Sequence, residues 1–202
     1  MNQPVKLLLF DIGGVFIQLT GVDQMLSWTK GLHTETELWR LWINSRAVKE
    51  FETGRITPDT FAAELIREFS LPVDVPTFLD AFVSWTTQPF PGFNELMAEL
   101  NGDYQTASLS NTNELHWNNL CESLHIHRFF DHNFPSHELG CMKPDKASFC
   151  HVLDTLQVAP EETLFFDDTP VNIDAARALG IKAHQVCGVD NLSQTLKELD
   201  IL

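Results

Sequence analysis

Four short segments, far apart in the chain, each put a residue suited to handling phosphate at the end of a predicted strand. They are Asp11 in LLLFDIGGV, Ser110 in ASLSNTN, Lys143 in GCMKPD, and Asp167 with Asp168 in LFFDDTPVN. A carboxylate can attack phosphorus and divide ester hydrolysis into two easier displacements. A hydroxyl beside the free N–H groups of a helix start makes an anion site. An ammonium offsets phosphate charge, and Pro144 holds Lys143 in extended backbone. Two adjacent carboxylates repel one another, and a Mg²⁺ ion relieves that, since it favours few carboxylates together with water and phosphate oxygens. Asn172, four residues beyond Asp168, is placed to orient such ligands from behind. Each residue also has a local explanation. Asp11 caps a turn, Ser110–Asn113 is an N-cap box, Lys143 is a solvated lysine, and the acid pair opens a helix. Their order, each at a strand end, is what points to phosphoryl transfer.

These residues need elements to position them. Val5–Phe10 is a continuous apolar run closed by Asp-Ile-Gly-Gly, which predicts a strand buried on both faces. Gly13 and Gly14 let the backbone turn sharply and approach a ligand. From Phe16 to Gln88 the signals are helical, and no strand is expected there. Thr34–Glu37 is a capping box, Gly54 ends a helix, and Thr57-Pro58 and Pro76 open two more. Trp28, Trp39, Trp42 and Trp85 fall in this stretch. After Pro89 strands and helices alternate. Strands are expected at Tyr104–Leu109, near Asn133–Phe134, at Thr163–Phe166 and at Lys182–Val186. Helices are expected at Phe93–Leu100, Asn113–Leu124, Asp145–Leu156, Val171–Leu179 and Leu192–Leu199. Alternation of this kind implies an α/β fold with a parallel sheet and right-handed crossovers, its ligands beyond the carboxyl ends of the strands.

Composition narrows the function classes. With 202 residues, 44% of them hydrophobic, the chain can form one sizeable α/β domain with a small insertion. A formal net charge of −15 argues against a nucleic-acid backbone or an anionic membrane as partner. An anionic substrate then needs local positive potential from Lys, metal and helix ends. No apolar run is long enough to span a bilayer. The opening MNQPVKLLLFDIGG only superficially resembles a signal peptide, because Asp11 interrupts a short apolar stretch. Cys121, Cys141, Cys150 and Cys187 form no CxxC pair and read as reduced thiols of a cytosolic protein.

Taken in order, FDIGGV, LSN, KP and FFDDTPVN resemble the four motifs of the haloacid dehalogenase-like hydrolase superfamily, and the resemblance covers essentially the whole chain. GRITPDTF, SNTNELH and the DD…N form of the last motif are similar to the branch that includes α-D-glucose-1-phosphate phosphatases. The resemblance implies a Rossmann-like three-layer α/β/α core over residues 1–15 and 89–202. It implies a small all-helical cap over residues 16–88, which closes over the site and selects substrate. Asp11 would be the nucleophile and a Mg²⁺ ligand, with the Gly13 carbonyl and Asp168 as further ligands. Ser110 and Asn111 would hold the transferring phosphoryl group and Lys143 would stabilise its charge. Asp167 and Asn172 would stand behind the ligands. The implied activity is Mg²⁺-dependent hydrolysis of a small cytosolic phosphomonoester, such as glucose 1-phosphate, through an aspartyl-phosphate.

One position departs from the pattern. Most phosphatases of this superfamily carry a second Asp two residues after the nucleophile as general acid and base, and Gly13 stands there. A sugar 1-phosphate suits such a site, because its anomeric oxygen leaves more readily than a simple alcohol. His116, the histidine nearest a motif, is a candidate replacement. A phosphate-binding or regulatory protein without turnover is the alternative that Gly13 favours. A 2-haloacid dehalogenase also uses an Asp nucleophile but no Mg²⁺, so the acid pair speaks against it. The tryptophans are suited either to stack on a sugar face or to pack the cap.

Overall fold

A computed structural model describes residues 4–100, 102 and 104–202. At its centre is β1, Leu7–Phe10, whose four residues are wholly buried. It pairs in parallel with β4 (Gln105–Ser110) on one side and β6 (Thr163–Asp167) on the other. β5 (His132–Pro135) and β7 (Lys182–Gln185) complete a parallel sheet of order β5-β4-β1-β6-β7. Strand order runs outward in both directions from β1, so a crevice opens where its chain leaves the sheet.

Side-chain alternation along β1 explains the layers. Leu8 and Phe10 point into one apolar cluster, Leu7 and Leu9 into another. The first cluster is covered by α6 (Phe93–Glu99), α7 (Glu114–Ser123) and α11 (Gly188–Glu198), through residues such as Leu96, Trp117 and Leu192. The second is covered by α9 (Lys146–Leu156) and α10 (Pro170–Arg177), through Phe149, Val152 and Ile173. This is the expected three-layer α/β/α core.

Between β1 and α6 lie five helices: α1 (Gly21–Thr29), α2 (Glu35–Asn44), α3 (Arg46–Glu52), α4 (Pro58–Phe69) and α5 (Val75–Val83). They enclose a separate apolar cluster in which Phe51, Phe61, Phe78 and Phe82 are buried. The caps form as expected. Thr34 and Glu37 exchange bonds as a capping box, and Thr57 caps α4 ahead of Pro58. The segment is not wholly helical, however. β2 (Ile17–Leu19) and β3 (Thr86–Pro89) form an antiparallel ribbon where it leaves and rejoins the core. Strands of three and four residues are too short to show a period-two pattern, and their pairing joins residues distant in sequence. A short helix α8 (Ser136–Leu139) follows β5 and was not expected. The last helix begins four residues earlier than expected, at Gly188, whose N–H donates to the Gly14 carbonyl at 2.8 Å.

Candidate active site

Register brings the acids together. Phe10 lies opposite Phe166, and the Asp11 N–H donates to the Phe166 carbonyl at 2.8 Å, so Asp11 emerges beside Asp167. Lys143 reaches both from the loop ahead of α9. Its Nζ lies 2.8 Å from Asp11 Oδ1 and 2.7 Å from Asp167 Oδ2, with its side chain 1% exposed. Burial alone would pull this ammonium down, but Asp11 and Asp167 hold it above the ordinary lysine value.

The lysine backbone is fixed as firmly as its head. The Asn111 side-chain amide donates to the Lys143 carbonyl at 2.8 Å and accepts from the Lys143 N–H at 2.8 Å. Asn111 thus couples the end of β4 to the lysine loop, and its side chain is engaged there rather than turned to a ligand. Ser110, buried at the last position of β4, keeps a hydroxyl with no hydrogen bond among the described residues. The helix that follows β4 starts where expected, with Asn113 capping α7.

Asp167 is saturated. Its Oδ1 accepts from the Thr169 N–H at 2.8 Å and Asn172 Nδ2 at 3.0 Å, and its Oδ2 accepts from Lys143 and from Asn172 at 3.1 Å. Among the described residues the Asp168 carboxylate accepts only from the Thr169 hydroxyl, at 3.0 Å, and burial followed by the nearby Asp167 charge raises its carboxyl. Asp11 is pushed up to about 7, chiefly by burial; Lys143 pulls it down, while Asp167 and Asp168 push it further up.

Three carboxylates therefore face one ammonium, with an oxygen of each within 4.8 Å of the others. That excess of negative charge fits a divalent cation, and an all-oxygen donor set fits Mg²⁺. Asp11 and Asp168 have oxygens to offer. The Gly13 carbonyl is also open. In its turn Ile12 O accepts from Phe16 and Ile17, Ile17 O from Gly14 and Gly14 O from Gly188, whereas Gly13 O accepts nothing among the described residues. Gly14, at φ +71°, is required here, since a Cβ on it would collide with Asp168 Oδ2.

These residues line a cavity of about 900 Å³ between sheet and helices. Trp39, Trp42 and Trp85 border it, whereas Trp28 packs against Phe78 and Trp85 in the helical cluster. His116 also lines the cavity, but both ring nitrogens are engaged. Nε2 lies 2.7 Å from the Phe82 carbonyl and Nδ1 3.2 Å from Asn113 Nδ2. Burial lowers its pKa to about 4 despite the Phe82 bond, so it is neutral and joins α7 to α5. Glu52, which no motif marks, lines the same cavity from the end of α3.

A parallel α/β sheet with a carboxylate, a lysine and an acid pair converging where its central strand ends defines a Rossmann-like hydrolytic enzyme. Over residues 5–180 the sequence matches the haloacid dehalogenase-like hydrolases, and the chain belongs to that family. It is 28% identical to the sesquiterpene phosphatase astK of Aspergillus oryzae, over 90% of this chain and 89% of that one. It is 25% identical to the D-ribitol-5-phosphate phosphatase of Bacteroides thetaiotaomicron, over 90% of this chain and 91% of the relative. A solved HAD family enzyme of that bacterium, in complex with magnesium and inorganic phosphate, matches with TM-score 0.73 at 25% identity, covering 90% of this chain and 94% of that one.

Proposed function

We propose that this phosphatase hydrolyses a small phosphomonoester by passing its phosphoryl group to Asp11. The observation that carries the reading is the Lys143 ammonium held between Asp11 and Asp167 with Asp168 alongside. Asp11 Oδ attacks phosphorus, and the ester oxygen leaves. Lys143, together with Ser110 and the Asn111 backbone, offsets the charge on the transferring group. Water then displaces Asp11 from phosphorus. Asp11, the Gly13 carbonyl and Asp168 would hold Mg²⁺, which when bound neutralises phosphate charge and lets Asp11 lose its proton. Asp167 and Asn172 keep Lys143 and the acid pair in place. Residues 1–15 and 89–202 serve as the catalytic core, and residues 16–88 as the cap that shields the reaction from water.

For the ester, two classes are in contention. A sugar phosphate such as glucose 1-phosphate follows from the motif resemblance, and the likeness to a polyol-phosphate phosphatase supports it. An ester with a large apolar body is favoured by the cavity itself. Leu19, Trp39, Ile43 and Val171 are exposed large apolar residues, and all four line it. Likeness to a sesquiterpene phosphatase supports this second class. Dehalogenation draws on no cation, so the three facing carboxylates support phosphate chemistry instead. Free cysteines agree with a cytoplasmic enzyme acting on a free metabolite, and among the described residues no helix is long and apolar enough to cross a membrane.

Phosphate release by metal-stripped protein tests the reading, with and without Mg²⁺, on sugar phosphates and prenyl phosphates side by side. Metal-dependent release is expected, with one class preferred. No release from any ester despite Mg²⁺ binding would make this a phosphate-binding protein without turnover.

A further inference from the structure

Ester hydrolysis moves two protons that the residues described so far do not handle. The leaving oxygen needs one, and the attacking water must lose one. Lys143 is held charged between two carboxylates, His116 has both nitrogens occupied, and Gly13 has no side chain.

We infer that Glu52 is the general acid and base of this site, acting across the cavity from α3. Its carboxylate has no hydrogen bond or ion pair among the described residues, yet the residue is only half-buried and lines the cavity with Asp11 and Lys143. It is close enough for the Asp11 charge to act on it. Its backbone is clamped. Ser136 Oγ lies 2.6 Å from the Glu52 carbonyl and 2.8 Å from the Thr112 carbonyl, and accepts from the Thr112 N–H at 2.9 Å. One hydroxyl therefore ties the end of α3 to the loop that follows Ser110. Two residues on, a Cβ on Gly54 would collide with the His137 carbonyl, so α3 meets α8 at backbone distance. Burial, then the Asp11 charge, pushes the Glu52 carboxyl up to about 7, with Lys143 opposing, so both protonation states are accessible near neutrality. Lys49 and Arg55 also line the cavity, but the charges that shift Glu52 most are those of Asp11 and Lys143.

The proton balance closes. As Asp11 bonds to phosphorus and the P–O bond to the alcohol breaks, the Glu52 proton passes to the leaving oxygen. As water attacks the phosphoryl group on Asp11, its proton passes to the Glu52 carboxylate and the Asp11–phosphorus bond breaks. Alcohol and inorganic phosphate depart, and Glu52 is protonated again.

This role rests on the phosphatase reading, and Glu52→Gln separates the two. With p-nitrophenyl phosphate the phenolate leaves without a proton, so only the water step needs the base. The variant should release a burst of about one nitrophenolate per protein, then turn over about 10²–10⁴-fold more slowly than the parent. Its Mg²⁺-dependent binding of inorganic phosphate should be unchanged, which shows the site intact. Steady turnover within about threefold of the parent would overturn the role while leaving the phosphatase standing. Loss of the burst along with turnover, or of phosphate binding, would make Glu52 a prop for the site and overturn the role too. No Mg²⁺-dependent turnover by the parent protein would overturn both.

Discussion

Lys143 organises the site one residue at a time. Its ammonium bridges Asp11 and Asp167, and its backbone N–H and carbonyl are both held by the Asn111 amide. Asn111→Ala removes that grip and leaves the acids alone. Turnover should fall about 10–100-fold, the usual effect of losing an orienting partner, while calorimetry shows Mg²⁺ affinity nearly unchanged. Unaltered turnover would mean that Lys143 needs no such support. Gly13→Asp tests the proton account from the other side. A Cβ there meets only the flexible end of Leu19, at 3.2 Å, so the change fits. With Glu52 already serving, turnover should rise by far less than the 10²–10⁴-fold that a newly supplied acid–base contributes. A gain of that full size would show the site lacked one. Asp11, Ser110, Asp167 and Asp168 were legible in the sequence because each closes an apolar run at a strand end, whereas Lys143, also expected at a strand end, lies in the loop between α8 and α9 and was marked only by its place ahead of Pro144. Glu52 was not. It sits in AVKEFETG among other charged residues, and only the fold carries it into the cavity that Asp11 lines.

At the scale of elements, β1 sets the geometry. Both its edges are paired in parallel, and its register fixes Asp11 against Asp167. Leu9, wholly buried in the second apolar cluster, is the residue to remove. Leu9→Ala should cost about 2–5 kcal/mol in chemical denaturation, with turnover per folded molecule little changed. A cost under about 1 kcal/mol would mean that the sheet centre relaxes to fill the gap. The core strands could be read because a doubly covered strand is apolar throughout and is flanked by helix signals. β2 and β3 could not. Their pairing depends on the two ends of the helical segment meeting, which no local pattern records. α8 escaped for a like reason, being a single turn between β5 and the lysine loop.

For the whole molecule, the excess negative charge at the site links stability, pH and metal. An unfolded Asp loses its proton near 3.8, whereas native Asp11 keeps its own to about 7, and Glu52 is displaced in the same direction. Between those values the native state binds more protons than the unfolded chain, so stability falls as pH rises through that window. Mg²⁺ needs ionised Asp11, so its stabilisation should grow over the same range. Melting scans should show the metal-free protein less stable at about pH 8 than at about pH 5, and a larger Mg²⁺-induced rise in Tm at the higher value. A rise of equal size at both would separate the metal site from Asp11. Net charge argued against a nucleic acid or an anionic membrane as partner and said nothing of which ester the site takes. The apolar rim of the cavity was out of reach of the sequence, since Leu19, Trp39, Ile43 and Val171 come from three segments distant in the chain, β2, α2 and α10.

The central claim is that a phosphoryl group rests on Asp11 during turnover. Acid-quenching the reaction with p-nitrophenyl phosphate and Mg²⁺, then mapping phosphorylated peptides by mass spectrometry, tests it directly. The modification should sit on Asp11, decay as inorganic phosphate appears, and be absent from an Asp11→Asn protein that folds but does not turn over. Phosphate release without any phosphoryl-protein, a phosphoryl group on another residue, or sustained turnover by Asp11→Asn would contradict the account.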